Sequence, residues 1–145
     1  MLVILLAGCG AQAAAPSSVA ASAGPFHSEA TPASLAAGSN VHYKLVVRGP
    51  IQYLAGCAHT FTVWAEDSRG QQVWAEPQPQ FDCFAIVTRS LAAGDSTSLE
   101  ADWPTSPTLA AGRYTIHGLF LTVLPPGAGA RVRENVPPLT IQVRD

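Results

Sequence analysis

The sequence predicts an all-β fold: an antiparallel β-sandwich of seven to eight short strands, preceded by a disordered amino-terminal tether. Three observations carry this expectation. Apolar and polar residues alternate with a period of two in several runs after residue 39, as they do in strands with one buried face. Gly, Pro and Asp punctuate those runs at short intervals. No long stretch spaces its apolar residues at helical intervals.

Composition sets the outer limits. A chain of 145 residues suits one domain with a tail. Charged residues make up 12%, against about a quarter in an ordinary globular protein. Much of the apolar content is alanine, which fills little core. The net charge is −2 and the eight basic residues are scattered. With no basic stripe, binding to nucleic acid is not expected.

The chain opens with Met1 to Ala7, an apolar run far short of the roughly 20 residues that span a bilayer. It is also short for a secretory signal, and no basic residue precedes it. A start upstream of Met1 would supply both missing parts. The run ends in Leu6-Ala7-Gly8-Cys9. Those four residues resemble the lipobox of bacterial lipoproteins, in which a peptidase cuts before a cysteine whose thiol carries diacylglycerol. Small residues at 7 and 8 suit a narrow protease cleft, and Cys9 supplies the nucleophilic sulfur. The resemblance implies that residues 1–8 are a signal, that Cys9 is the lipidation site and that a membrane is a partner. One acyl chain anchors only marginally, at ~0.8 kcal/mol per buried CH₂, so a triacylated cysteine is the stable form. The alternative is an apolar terminal strand with a buried free thiol.

Residues 9–38 then form the expected tether. The tract is mostly Ala, Ser, Pro, Gly and Thr, with Phe26 its one Phe, Tyr or Trp. Such a composition buries too little apolar area to offset the entropy of ordering. Pro16, Pro25 and Pro32 interrupt the alanine runs that favour helix. A flexible chain of this length has a mean end-to-end distance of roughly 30 Å.

Residues 39–145 form the expected folded domain. Val41, Tyr43, Leu45 and Val47 alternate with His42, Lys44 and Arg48. Phe61 and Val63 alternate with Thr60, Thr62 and Trp64. Val73-Trp74 follows the turn Asp67-Ser68-Arg69-Gly70, and Ile86-Val87-Thr88 is another β-rich run. Candidate strands follow at 96–103 and 114–123, and Leu139 to Val143 closes the chain. Leu-Ala-Ala-Gly recurs at 35–38, 91–94 and 109–112, each time before an alternating run. Glycine tolerates positive φ and so permits a sharp entry into a strand.

Three stretches resemble the intracellular proteinase inhibitor (BsuPI-type) domain. They are Phe61-Thr62-Val63 with Asp67 to Trp74, Leu91-Ala92-Ala93-Gly94-Asp95-Ser96 with Trp103, and Leu109 to Ile116 in the pattern L-x-x-G-x-Y-x-I. The resemblance covers about residues 40–123. It implies an immunoglobulin-like sandwich and, as one activity, inhibition of a protease. No inhibitory loop is identified by motif, and Cys57 and Cys83 are not part of the family pattern.

If Cys9 is acylated, Cys57 and Cys83 remain as an even pair in an oxidising compartment. A disulfide between them contributes roughly 3–4 kcal/mol by the chain-entropy model. Two buried free thiols are the alternative. No metal site is expected, because no His or second Cys stands at ligand spacing, and no cofactor is expected.

Catalytic patterns are sparse. His27, His42, His59 and His117 are dispersed, no Ser occupies a G-x-S-x-G elbow, and no glycine-rich phosphate loop is present. Glu100 and Asp102 share a strand face, as glycosidase carboxylates do, but such pairs more often mark a solvated side. Trp74 and Trp103 suit core volume, whereas Trp64, in the register opposite Val63, is the candidate exposed aromatic residue. Residues 124–136 join the last two strands and carry Arg131 and Arg133, a candidate partner-contact loop. The expected function is a non-enzymatic, lipid-anchored, extracytoplasmic module that binds a protein in the cell envelope. Protease inhibition is the alternative, and a carbohydrate-binding or hydrolase accessory role is third.

Overall fold

The computed structural model describes residues 16–56, 59–78, 85–123 and 131–145. Among the described residues eleven strands form two sheets packed face to face, and there is no helix. They are β1 (Val19–Ala23), β2 (Phe26–Thr31), β3 (Ser34–Ala36), β4 (Asn40–Arg48), β5 (Ile51–Gly56), β6 (Phe61–Glu66), β7 (Gln72–Ala75), β8 (Ile86–Leu91), β9 (Ser96–Pro104), β10 (Gly112–Val123) and β11 (Arg131–Arg144). The smaller sheet has the order β1-β2-β4-β9. The larger runs β3-β11-β10-β5-β8, with β6 also on β10 and β7 on β6. All pairings are antiparallel except the short β3–β11 contact.

The period-two pattern translates directly into the core. In β4, Val41, Tyr43, Leu45 and Val47 face inward and are buried, while Asn40, His42 and Arg48 face water. From the larger sheet, Val63, Ala65, Ile116, Phe120, Leu139, Ile141 and Val143 meet them. Each fully buried Val, Leu, Ile or Phe contributes about 1.5–3 kcal/mol of transfer free energy. Phe120 lies 5.5 Å from Phe26 and 5.5 Å from Tyr53, ring centre to ring centre, and so ties the two sheets together. Gly118 is inward-facing because the Phe61 ring and the Tyr43 hydroxyl fill the space a Cβ requires, at 3.1 and 3.3 Å. Burial pushes the Tyr43 hydroxyl above its ordinary pKa, and Ser28 beside it offsets part of that.

The glycine turns behave as expected at two of the three Leu-Ala-Ala-Gly sites. Gly38 and Gly94 have φ of 82° and 94°, and each leads two residues later into a strand, β4 and β9. The third site forms a corner between the sheets. There the Tyr114 hydroxyl donates to the Ala110 carbonyl at 2.8 Å. A tyrosine reaching back to the backbone just upstream is a hallmark of immunoglobulin-like sandwiches.

Two expectations need correction. The tract 9–38 is not wholly a disordered tether. Its described part contains β1, β2 and β3, and Phe26, Ala30 and Leu35 are buried. The Ala33 amide donates to the Ser17 carbonyl at 2.6 Å, and Gln142 donates to the Ala33 carbonyl at 2.9 Å. Small residues of low β-propensity become strands here because β4 and β11 supply a template and a buried face. Among the described residues the strand count is accordingly eleven, not seven to eight. β5 was hidden in Ile51–Gly56, a short run after a Gly-Pro turn.

The expected partner-contact loop 124–136 also needs correction: its residues Arg131 to Val136 belong to strand β11. Arg133 is in register with Leu121, and Arg131 with Val123. Between Val136 and Leu139 the β10–β11 register shifts, so β11 carries one extra residue. Pro137 and Pro138 have no amide hydrogen to give a ladder. The carbonyl of Pro137 instead accepts from the buried Ser28 hydroxyl at 3.0 Å, across the sheets.

At the β6–β7 turn, Asp67 accepts from the amides of Arg69 and Gln71 and from the Arg69 guanidinium. These bonds, the Gln71 amide foremost, hold its carboxyl below the ordinary value of 3.8. A depressed carboxylate stabilises the fold above its unfolded pKa, and that contribution is lost as pH falls through the folded value. Two outcomes are expected. The stability gap between wild type and Asp67→Asn is widest near neutrality and closes below pH 3.8, as read from urea midpoints. Phe26→Ala lowers unfolding stability by about 3–5 kcal/mol; an unchanged midpoint would return residues 19–36 to the tether.

Candidate functional site

The outer face of the larger sheet carries an ordered cluster of aromatic and charged groups. On β6, Thr62, Trp64 and Glu66 point away from the core, because Val63 and Ala65 point into it. On β10, His117 is directly opposite Trp64, and Thr115 opposite Glu66. Directly opposed residues in an antiparallel pair share a face and touch. The Trp64 and His117 rings accordingly stack, with centroids 5.2 Å apart and planes 15° from parallel.

One carboxylate holds both rings. The Trp64 indole N–H donates to Glu66 Oε1 at 2.7 Å. His117 Nε2 lies 3.3 Å from Glu66 Oε2. The His117 and Glu66 side chains are only 32% and 29% exposed, so water screens this contact less than at an open surface. When His117 is protonated, the pair is a salt bridge and the imidazolium sits over the indole face as a cation–π partner. On its other side, Trp64 is in register with Ala75 of β7, the last strand on that branch of the sheet.

A second cluster lies on the outer face of the smaller sheet. Glu100 and Asp102 share a face, as the sequence indicates, and His42 of β4 comes between them. His42 Nδ1 is 2.9 Å from Asp102 Oδ1, and Nε2 is 4.0 Å from Glu100 Oε2. Nδ1 is hydrogen-bonded to Asp102, whereas Nε2 lies beyond hydrogen-bond reach of Glu100. All three side chains are about half-exposed or more, where such pairs contribute about 0–1 kcal/mol. Among the described residues no three His, Cys, Asp or Glu are grouped to hold a metal ion.

The three tryptophans divide by face. Trp103 is buried, stacks on half-buried Trp74 at 5.8 Å and meets Tyr114 edge-on at 5.9 Å. These rings close the open edge between β7 and β9. Glu76, just past β7, has its carboxyl pushed up by burial and then by the Asp102 charge across that edge. Trp64 is the outward one, half-buried rather than fully exposed. Sequence reading singled it out but not its partners. Glu66 is two residues away on the same face, a signal available in the sequence, whereas His117 is brought in by pairing with β10.

The remaining expected site residues are placed as follows. Cys9, Cys57, Cys83 and residues 124–130 lie outside the described residues. Arg133 is exposed in β11. His59 precedes β6 and is exposed. Compared with protein-family models and with curated proteins, the chain matches none.

Glu66→Ala is expected to free both rings. The fold should lose about 1 kcal/mol, and Trp64 emission should shift to the red as the indole meets water. An unaltered emission spectrum would show that the carboxylate does not position Trp64.

Proposed function

We propose that the chain is a non-catalytic interaction module of a cell envelope, anchored through a lipid on Cys9 in an extracytoplasmic compartment. The observation that carries the interaction reading is the Trp64–Glu66–His117 cluster. It fixes two aromatic rings on an outer sheet face, where they bury little area for the core. Rings locked before a ligand arrives lose little entropy on binding. The anchor rests on Leu6-Ala7-Gly8-Cys9 at the end of an apolar run.

The compartment reading includes a Cys57–Cys83 disulfide. What supports it is the placement of the flanking strands. Gly56, one residue before Cys57, pairs with Ile86, three residues after Cys83. In sequence, positions 57 and 83 thus adjoin the same end of the antiparallel β5–β8 pair.

Protease inhibition is the second reading, as the resemblance implies. The observation favouring it is β8, an edge strand with Ile86 and Val87 exposed by 49% and 43%. Proteases commonly take inhibitors as extended segments, and an open strand edge offers its backbone to such pairing.

The intact mass of the native product from a bacterial host tests the anchor and the disulfide. The expected product lacks residues 1–8, carries acyl mass on Cys9 and shows the mass deficit of one disulfide. An unprocessed amino terminus with three reducible thiols overturns both. Titrating a panel of serine proteases and metalloproteases with the protein separates the two activities. The module reading expects full protease activity throughout, and stoichiometric loss of any one activity moves the conclusion to inhibition.

A further inference from the structure

We propose that Trp64, seated against His117, is the stacking platform of a binding site for an uncharged pyranose unit of a polysaccharide. This deepens the interaction-module reading and rests on it. The two faces of the indole ring have different surroundings. One is covered by the His117 imidazole. Toward the other stands Ala75, whose methyl is too short to cover a ring. Among the described residues β7 pairs only with β6, so no described strand lies beyond Ala75. Among the described residues Ala75 is the cross-strand neighbour on that side, and Trp64 stays partly exposed at the rim of the sheet.

The surroundings suit a sugar. A pyranose ring presents a flat patch of C–H groups edged by hydroxyls, and an aromatic face edged by hydrogen-bonding groups complements it. Thr62 and Thr115 flank Trp64 and His117 on this outer face. Asn135 and Thr140 of β11 stand in register beyond, opposite Leu119 and Thr115. The one carboxylate of the cluster is committed on both oxygens, to the Trp64 indole and to His117. Next to the two rings that leaves the Thr62 and Thr115 hydroxyls for the ligand, with Arg113 and Arg133 further along the same face. A protein partner needs about 800 Å² of contact, which one indole face with a polar border does not provide.

The test uses the full chain with tetrasaccharides as probes: the β-1,4-linked N-acetylglucosamine tetramer, cellotetraose, maltotetraose and mannotetraose. Binding is read by calorimetry and tryptophan emission. At least one is expected to bind, with Trp64→Ala weakening it about tenfold or more and Trp64→Phe retaining part of the affinity. The Trp64→Ala urea midpoint should fall only modestly, as for Glu66→Ala, and the variant should unfold cooperatively, since Trp64 lies outside the core. Should no probe bind, or should wild type and Trp64→Ala bind alike, the saccharide site is overturned.

A parallel sedimentation assay uses isolated bacterial envelopes before and after protease digestion. Retention that survives digestion and falls in Trp64→Ala supports the proposal. Retention that digestion abolishes and Trp64→Ala leaves intact overturns the saccharide site while keeping the interaction module. No retention at all overturns both.

Discussion

Phe120 packs between the sheets, and the rest of the arrangement is built around that contact. Its ring is fully buried, with Phe26 of the smaller sheet and Tyr53 of β5 each 5.5 Å away. Its backbone pairs with Phe61 on one side and Glu134 on the other. One residue thus joins β2, β5, β6, β10 and β11. Tilted aromatic pairs of this kind add about 0.5–1.5 kcal/mol beyond area burial. In a domain whose net stability is of order 5–15 kcal/mol, that is a sizeable share. Because β10 is fixed by this contact, the residues on its opposite face are fixed as well. His117 stands outside because Ile116 and Phe120 stand inside.

The amino-terminal strands depend on the same core. β2 contributes Phe26 to the aromatic contact and Ser28 to the carbonyl of Pro137. The second interaction answers a specific problem. Two consecutive prolines interrupt the β10–β11 ladder and leave a buried carbonyl without a sheet partner. An unsatisfied buried polar group costs about 1–3 kcal/mol, and Ser28, itself fully buried, satisfies this one. A serine that looks like tether composition in the sequence is, in the fold, a polar crosspiece between sheets.

The two outer faces use histidine differently. His42 lies between Asp102 and Glu100 in the open, where solvent screens each contact. His117 and Trp64 share Glu66 in a partly enclosed setting, and the three groups hold one another in a single arrangement. The difference follows from the neighbours. An indole beside the imidazole removes water from one face of each ring. An exposed aromatic ring held rigid in this way is suited to recognition, since little freedom is left to lose when a ligand stacks on it.

The amino-acid pattern specifies the sandwich, because alternation with a period of two is a local property that any half-buried strand must display. It placed β4, β6, β9 and β10 to within about two residues, and it assigned Trp103 to the core and Trp64 to the outside. It also put Glu100 and Asp102 on one face, since that needs only the pleat. Tertiary structure alone decided the remainder. Val19 to Ala36 became strands because β4 and β11 offered unpaired backbone and an apolar surface, a stabilisation no alanine-serine tract encodes locally. Arg133 joined β11 rather than a loop because Leu121 pairs with it across the hairpin. His117 met Trp64 through a register set by more than fifty intervening residues. Local chemistry states which way a side chain points along its own strand. Only the pairing of strands distant in sequence states what it will touch.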